Sequence, residues 1–415
     1  MKKLLIASLA TLSLLNLTAC QSESGLLDFF GSITINDEVV FTTDSSLDDM
    51  KNYTGSSSFT TDADTKLNAL GVANTNHNGT DTCYTFTKYP VVLVHGLYGF
   101  DKVLGVDYWY RVIEAIELGG GEAYTIPVPK LNSTEVRGEH LRTELLALKA
   151  TLEGTDINNP DCGTVDRTVN PVKFHLMGHS HGGPTVRYIM DTNPELLASV
   201  TTIGGLNAYG IQDSPNTEKF NKALTSFAYG PLLQGMLNGL AELIEFVGGN
   251  KENHTSYAVA SFESLSKEGI AEFNTTHNTG LPPNYGDGYA DHANNNFCDP
   301  GNPAHPSNHG VASATLGGNE VYFFSWSGTS TGTNVLDPTD ILINYVADSV
   351  GSPSDGMVEQ CASHFGTVLR SDYTLNHLDE INWVMGLRKA TATNPLVIYR
   401  QTTNRLKQLE TAQSL

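Results

Sequence analysis

The segment Gly178-His179-Ser180-His181-Gly182 constrains the fold most strongly, because it places a serine in the pattern G-x-S-x-G. The buried-strand pattern of Val172 to Met177 precedes it, and the helical pattern of Pro184 to Met190 follows it. Between a strand and a helix, this pattern forms a sharp turn that exposes the serine as a nucleophile. We therefore predict that Ser180 is a nucleophile. The alternative is a glycine-rich turn in which the serine is incidental.

Strand and helix signals alternate on both sides of this turn. Val91 to Val94 is a continuous run of β-branched and apolar residues that leads into a glycine loop. Val200 to Ile203 is a second β-branched run, and it is also followed by glycines. Between them, Ser133 is a capping residue at the start of a helical pattern. Continuous apolar strands that alternate with helices predict an α/β fold with a mostly parallel sheet flanked by helices.

A serine hydroxyl is a poor nucleophile without a base, and the base must be oriented by a carboxylate. Downstream of Ser180, Asp355 lies in a turn after the apolar stretch Ile341 to Val346, where we expect an acid at the carboxyl end of a strand. We predict His377 as the base and Asp355 as its acid. The alternatives are that His364 is the base and that Asp355 only forms a turn or caps a helix.

Acyl transfer also needs hydrogen-bond donors aimed at the developing oxyanion. The backbone N–H of His181, directly after the nucleophile, is one candidate. The loop after the first predicted strand supplies the other, the backbone N–H of Leu97. These two amides are the predicted oxyanion hole.

Two segments in the middle of the chain differ from the strand and helix alternation. Between Phe220 and Val247, leucines and other apolar residues recur at helical spacing and predict an amphipathic helix, for which a plain core helix is the alternative. Residues 282–318 form a long polar loop with His292, His305 and His309 at irregular intervals. We interpret this loop as a solvated insertion, and a metal site as the weaker alternative.

The N-terminus has the pattern of an export signal. Two lysines and a short apolar run precede Leu17-Thr18-Ala19-Cys20, which matches a lipobox. We expect residues 1–20 to be a lipoprotein signal peptide with lipid on Cys20, and an ordinary signal peptide is the alternative. Ser22, where an aspartate would favour inner-membrane retention, predicts an outer-membrane or surface lipoprotein, with secretion as the alternative. Residues 21–85 are polar and predict an extension or tether before a main domain over 86–415.

Four cysteines remain after Cys20, an even number that predicts two disulfides in an oxidising compartment. Cys83 and Cys162 each precede a predicted parallel strand by a similar distance, so we predict a bond between them. Free thiols are the alternative. The formal net charge of -21 makes nucleic acid and anionic lipid headgroups unfavourable partners, and a neutral substrate fits better.

Four segments resemble the bacterial triacylglycerol lipases of the Pseudomonas and Burkholderia type: Pro90 to Asp101, Gly178 to Tyr188, Tyr322 to Asp340 and Asp355 to Leu387. The resemblance spans nearly all of 88–415 and is strongest to the Pseudomonas branch, which also has Trp-Ser-Gly-Thr-Ser, here Trp326 to Ser330. It implies an α/β-hydrolase fold with a mobile lid helix at about 214–248. It also implies the site residues predicted above: the triad Ser180, Asp355 and His377, with the amides of Leu97 and His181.

The same resemblance implies further features. A structural calcium ion would be held by the carboxylates of Asp337 and Asp379 and by the backbone carbonyls of Trp383 and Leu387; spacing alone would favour capping roles for the two aspartates. A second disulfide would join Cys298 to Cys361, and a membrane-anchored foldase would assist folding. One departure affects the lid hinge, because Gly204 to Gly210 replaces the family's Gly-x-Pro-His-basic-Gly stretch.

These predictions describe a triacylglycerol lipase that acts on lipid esters at an interface through a serine acyl-enzyme. The nearest alternative is a carboxylesterase or polyester depolymerase with the same triad. A lipid-tethered surface protein whose hydrolase domain serves binding is a third interpretation, and the complete triad disfavours it.

Overall fold

The computed structural model describes residues 59–73, 77–99, 107–211, 256–283, 309–334, 353–383, 386–389 and 391–415, with several short strands and single residues between them. Several predictions lie outside the described residues: the signal peptide with Cys20, the lid at about 214–248, Cys298, His292 and His305.

Among the described residues, seven strands form the central sheet: β1 Val91–Val94, β2 Ala123–Thr125, β3 Phe174–His179, β4 Leu197–Ile203, β5 Ser313–Leu316, β6 Asn319–Gly328 and β7 Thr367–Tyr373. The α-helices are α1 Thr61–Ala69, α2 Val112–Glu117, α3 Thr134–Leu152, α4 Gly182–Thr192, α5 Ser256–Leu265, α6 Lys267–Thr276 and α7 Pro395–Gln413. Short 3-10 helices cover Pro194–Leu196 and Asp379–Ile381. Four small antiparallel pairs join Ile33–Ile35 to Glu38–Phe41, Thr54–Gly55 to His77–Asn78, Lys102–Val103 to Val106–Asp107 and Ile157–Asn159 to Gly163–Val165. No helix in the described part of the chain is both long and apolar enough to cross a membrane.

The sheet has the order β5-β6-β4-β3-β1-β2. Strand β5 pairs with the first part of β6, Asn319 to Tyr322, and β7 pairs with its later part, Phe324 to Gly328. The β5–β6 pair is antiparallel, and the other pairs of this sheet are parallel. Strand β3 lies between β1 and β4, and all six of its residues are buried. This is the α/β-hydrolase fold that was predicted, and its central strand leads directly into Ser180.

The sheet is buried on both faces because its strands point alternate side chains into two cores. In β1, Val91 and Leu93 belong to the core that includes α1, α2 and α7, whereas Val92 and Val94 belong to the core that includes α3 and α4. The predicted start of α3 is confirmed, since Ser133 Oγ accepts a hydrogen bond from Val136 N at 3.4 Å.

The apolar stretch before Asp355 differs from the prediction. We expected a strand there, but Thr339, Asp340, Ile343 and Asn344 are helical. A short apolar run does not distinguish a buried strand from a buried helix. Here Asp337 Oδ1 accepts hydrogen bonds from the amide and the hydroxyl of Thr339 at 2.7 and 2.6 Å, which stabilises a helical turn.

A disulfide joins Cys83 to Cys162 with a Cα–Cα distance of 5.4 Å, as predicted. The two segments that lead into β1 and β3 therefore lie side by side. Cys361 is also disulfide-bonded, and its predicted partner Cys298 lies outside the described residues.

Helix α1 lies within the region expected to be a polar tether, yet it packs into the core. Ala63 and Leu67 are buried in the core to which β7 and α7 also contribute, and Thr60 N donates to Leu369 O of β7 at 3.0 Å. The guanidinium of Arg405 lies 4.1 Å from the centre of the Phe59 ring. The packed body of the protein thus begins before residue 86, because a few apolar side chains on one face are enough to dock a short helix.

Candidate active site

Ser180 lies at the apex of the turn between β3 and α4. Its φ of 57° is in the left-handed region, which a non-glycine residue adopts only where the surrounding structure imposes it. A Cβ on Gly178 would lie 2.2 Å from Gly182 O, and a Cβ on Gly182 would lie 2.2 Å from Val94 O. Both flanking glycines are therefore required by close backbone approach, and together they hold Ser180 at the end of the sheet.

Asp355 and His377 are paired beside this turn. His377 Nδ1 donates to Asp355 Oδ2 at 2.7 Å, and both side chains are buried. The other carboxylate oxygen of Asp355 accepts the amides of Met357 and Val358 at 2.8 and 2.7 Å. Because Nδ1 carries the proton in this bond, Nε2 of a neutral His377 is free to accept a proton.

The described structure contains no hydrogen bond between the Ser180 hydroxyl and His377 Nε2. Such catalytic hydrogen bonds often form with good geometry only when substrate binds, so the arrangement is compatible with Ser180 as nucleophile and His377 as base. His364, the alternative base, donates to or accepts from Ser371 Oγ at 3.0 Å and is not the partner of Asp355.

The two predicted oxyanion amides belong to segments next to the serine, since His181 directly follows Ser180 and Leu97 follows Gly96. A Cβ on Gly96 would lie 2.6 Å from Ser180 Cβ, so the loop that carries Leu97 N is packed against the nucleophile. In the described part of the chain, neither Leu97 N nor His181 N donates a hydrogen bond. Arg137, which the sequence did not single out, is buried and donates to the carbonyl oxygens of His95 and Gly96 in this loop.

His179, the residue before the nucleophile, makes two buried hydrogen bonds. Its Nδ1 lies 2.7 Å from the hydroxyl of Tyr108, and its Nε2 lies 2.9 Å from the carbonyl oxygen of His377. The Tyr108 oxygen in turn accepts the Gly96 amide at 3.0 Å. Burial, and then the nearby His377, hold the pKa of His179 well below its usual range, so this ring is neutral.

Glu380 is a second buried carboxyl group beside the pair. Its Oε1 accepts the Gly328 amide at 2.6 Å, and its Oε2, which has no hydrogen-bond partner among the described residues, lies 3.9 Å from His377 Nδ1. Burial, and then the charge of Asp355, raise the pKa of Glu380 well above its ordinary value. A neutral Glu380 avoids the repulsion of two adjacent carboxylates.

His179, His377 and Glu380 also form a group whose ligand atoms lie within 4.8 Å of one another, and such a group could hold a metal ion. Two imidazoles and one carboxyl suit a transition metal rather than calcium, which prefers oxygen ligands. The Nδ1 proton of His377 is also engaged by Asp355, so we interpret these residues as part of the catalytic arrangement.

The two predicted calcium-ligand carboxyls, those of Asp337 and Asp379, are both buried. Burial, and then the carboxyls of Asp340 and Asp379, raise the pKa of Asp337 well above its ordinary value, and burial raises the pKa of Asp379 to about 7. Asp340 was missed by the sequence analysis; it accepts from Asn376 Nδ2 at 2.6 Å, next to the base. The backbone of Trp383 lies beside Leu378, the residue before Asp379, since the Trp383 amide donates to Leu378 O at 3.1 Å.

The sequence carried only weak signals for the residues that were missed. His179 stands inside the serine motif and Glu380 directly follows Asp379, so inspection of motif neighbours would have found them. Tyr108 and Arg137 lie far from the triad in sequence, and only the fold brings them to the site.

Comparison with known proteins found similar sequences over most of the chain. A triacylglycerol lipase of Vibrio cholerae is 35% identical over 326 residues, which cover 78% of this chain and 89% of the relative. Triacylglycerol lipases of Burkholderia plantarii and Pseudomonas fragi are 31% and 28% identical and also cover 78% of this chain, with 87% and 97% of their own lengths. No protein-family model matches the sequence.

Similar solved structures include the Staphylococcus hyicus lipase, with 17% identity and a TM-score of 0.44 over 79% of this chain and 98% of that one. The mature Bacillus licheniformis lipase BlEst2 has 15% identity and a TM-score of 0.39, over 71% of this chain and 87% of that one.

Proposed function

Because the chain belongs to the bacterial triacylglycerol lipase family, we propose that it hydrolyses the ester bonds of triacylglycerols. The observation that carries the proposal is the buried hydrogen bond from His377 Nδ1 to Asp355 Oδ2 beside the strained turn of Ser180. We assign Ser180 as nucleophile, His377 as base and Asp355 as the acid that orients the base.

In the proposed reaction, His377 Nε2 takes the proton of the Ser180 hydroxyl as its oxygen attacks the ester carbonyl. The amides of Leu97 and His181 donate to the resulting oxyanion. His377 then gives its proton to the leaving alcohol, and the acyl group stays on Ser180. A water molecule, deprotonated by His377, attacks this acyl-enzyme; the bond to the Ser180 oxygen breaks, His377 returns the proton to that oxygen, and the fatty acid leaves.

We further propose a structural calcium site at Asp337 and Asp379, completed by the backbone carbonyls of Trp383 and Leu387. The donor set fits, because burial and then the carboxyls of Asp340 and Asp379 raise the pKa of Asp337, and a bound dication would offset this repulsion. When bound, the ion would hold the segment of Asp379 that follows the base. The chemistry at the ester carbonyl is left to Ser180 and His377.

The lid, the anchor and the foldase belong to the proposal as well. We infer that an amphipathic helix at about 214–248 covers the site and opens at an oil surface. We infer that Cys20 is lipidated, that the protein lies at the outer membrane or cell surface, and that a foldase assists its folding. The lipobox and the family membership support these inferences.

The decisive experiment combines active-site labelling with an acyl-chain series. We expect an alkyl phosphonate to label Ser180 in the wild type, and the Ser180→Ala variant to be unlabelled and inactive while keeping its thermal midpoint. Hydrolysis of emulsified long-chain triacylglycerol in preference to soluble short esters is the expected substrate profile. Labelling of the Ser180→Ala protein at another serine would overturn the assignment, and preference for soluble esters would identify an esterase.

A further inference from the structure

The loop that carries one oxyanion donor and the segment that carries the base are joined through two side chains. The Gly96 amide contacts the Tyr108 hydroxyl at 3.0 Å, this hydroxyl contacts His179 Nδ1 at 2.7 Å, and His179 Nε2 contacts the carbonyl oxygen of His377 at 2.9 Å. All four residues of this chain of contacts come from different parts of the fold.

The direction of each hydrogen bond follows from the chemistry of its end groups. A carbonyl oxygen can only accept, so His179 Nε2 must carry the proton that it donates to His377. In the neutral ring Nδ1 is then an acceptor, and the Tyr108 hydroxyl donates to it. The Tyr108 oxygen accepts from Gly96, whose amide can only donate. The three hydrogen bonds therefore run in one direction: Gly96 donates to Tyr108, Tyr108 donates to His179, and His179 donates to His377.

The surroundings hold these side chains in place. Tyr108 and His179 are 4% and 1% exposed, so water does not compete for their hydrogen bonds. The ring of Trp109 packs edge-on against His179 with centroids 6.0 Å apart, and the rings of His179 and His377 lie 4.4 Å apart. Oε2 of Glu380 lies 3.4 Å from His179 Nε2 without a hydrogen bond between them.

We propose that Tyr108 and His179 form a hydrogen-bond relay that sets the position of the oxyanion loop relative to the base. This inference rests on the proposed function, because it assigns Leu97 N and His377 their roles in ester hydrolysis. Tyr108 and His179 are positioning residues: neither carries the reacting proton. Gly96 directly precedes Leu97, so the hydrogen bond at Gly96 N also restrains the Leu97 amide. Loss of the relay would therefore let the oxyanion donor move while the nucleophile and base remain.

The test is Tyr108→Phe in the full-length protein, which removes one oxygen and keeps the aromatic packing. The matched control is Tyr322→Phe, because the hydroxyl of Tyr322 also makes a hydrogen bond in the body of the protein, to Gln413 Oε1 at 3.1 Å. With a soluble p-nitrophenyl ester, we expect Tyr108→Phe to lower kcat about tenfold to a hundredfold and to change KM by less than about threefold, as misplacement of catalytic groups does.

Two further readouts separate positioning from general stability. The rate of phosphonate labelling of Ser180 should fall with kcat in Tyr108→Phe and stay at the wild-type value in Tyr322→Phe. The low-field proton resonance of the His377–Asp355 hydrogen bond should shift in the first variant and not in the second. Equal thermal midpoints for the two variants would show that the difference is not one of folding.

A second pair keeps the relay testable if Tyr108→Phe does not fold. His179→Gln offers an amide that can donate and accept, whereas His179→Leu can do neither, so the glutamine variant should keep at least about tenfold more kcat. Equal kcat in these two variants, or wild-type kcat and labelling in Tyr108→Phe, would overturn the relay while the lipase assignment stands. A wild type that neither hydrolyses esters nor is labelled at Ser180 would overturn both.

Discussion

His377 is bound to Asp355 twice, by its side chain and by its main chain. Nδ1 donates to Oδ2 at 2.7 Å, and the His377 amide donates to the carbonyl oxygen of Asp355 at 3.0 Å. The side-chain bond selects the tautomer with Nε2 free, and the main-chain bond holds the loop of the base against the turn of the acid. The orientation of the base thus depends on both contacts.

We predict that Asp355→Asn lowers kcat, because an asparagine can present its amide to Nδ1 and favour the wrong tautomer. Such a change costs about 10⁴-fold in a triad with a single carboxyl group. Here Glu380 Oε2 lies 3.9 Å from the same nitrogen. Loss of the Asp355 charge removes one cause of the raised Glu380 pKa, so Glu380 can ionise in the variant and compensate, and we expect a loss of about 10- to 100-fold. The measurement is kcat on a soluble ester.

The double variant Asp355→Asn with Glu380→Gln tests this explanation. It should lose at least a further tenfold, because no carboxylate then remains beside Nδ1. If the double variant is as active as Asp355→Asn alone, Glu380 does not compensate.

We predict that Leu67→Ala destabilises the protein, although Leu67 lies in the region that the sequence indicated as a tether. Its side chain is 2% exposed in the core beneath α7, so its truncation should cost about 2–5 kcal/mol of unfolding free energy. Leu146→Ala, on the outer face of α3, is the control and should change little. The measurement is denaturant unfolding; equal midpoints for the two variants would show that α1 is not part of the folded body.

The sequence predicted the central strands of this fold but not the packed helix α1. Long apolar runs such as β1 and β3 are buried wherever they occur, so their pattern predicts the parallel sheet and, with the serine motif, the position of Ser180. A short polar helix has no such pattern, and its burial depends on the surface that distant elements such as β7 present to it. Tyr108 and Arg137 were missed for the same reason, since each contacts neighbours that only the tertiary structure brings within reach.

We predict that removal of the disulfide by Cys83→Ser with Cys162→Ser lowers stability and leaves kcat unchanged. The bond closes a segment with a sequence separation of 79, and the chain-entropy treatment assigns such a loop about 4.5 kcal/mol. The bond lies at the start of β1 and β3, whereas Ser180 follows the end of β3. Thermal unfolding and kcat of the double variant give the test, and a loss of kcat at a temperature where the variant is fully folded would contradict it.

We predict that Asp379→Asn lowers the thermal midpoint and the activity together, and that high calcium partly restores both. Asp379 Oδ2 accepts the Asn376 amide at 3.0 Å, one residue before the base, so an ion bound to Asp379 would steady the segment of His377. Asparagine keeps one oxygen ligand but removes the charge, which weakens calcium binding. At a hundredfold excess over Kd, a bound ligand stabilises the folded protein by about 2.7 kcal/mol.

The control for Asp379→Asn is Asp372→Asn, because the Asp372 side chain is exposed and its ion pair with Arg370 lies at the surface. If instead the buried aspartates share a proton without an ion, chelator would leave the wild type unchanged and the variant would match it. Metal analysis of the purified wild type, together with thermal unfolding of both proteins in chelator and in calcium, decides between these outcomes.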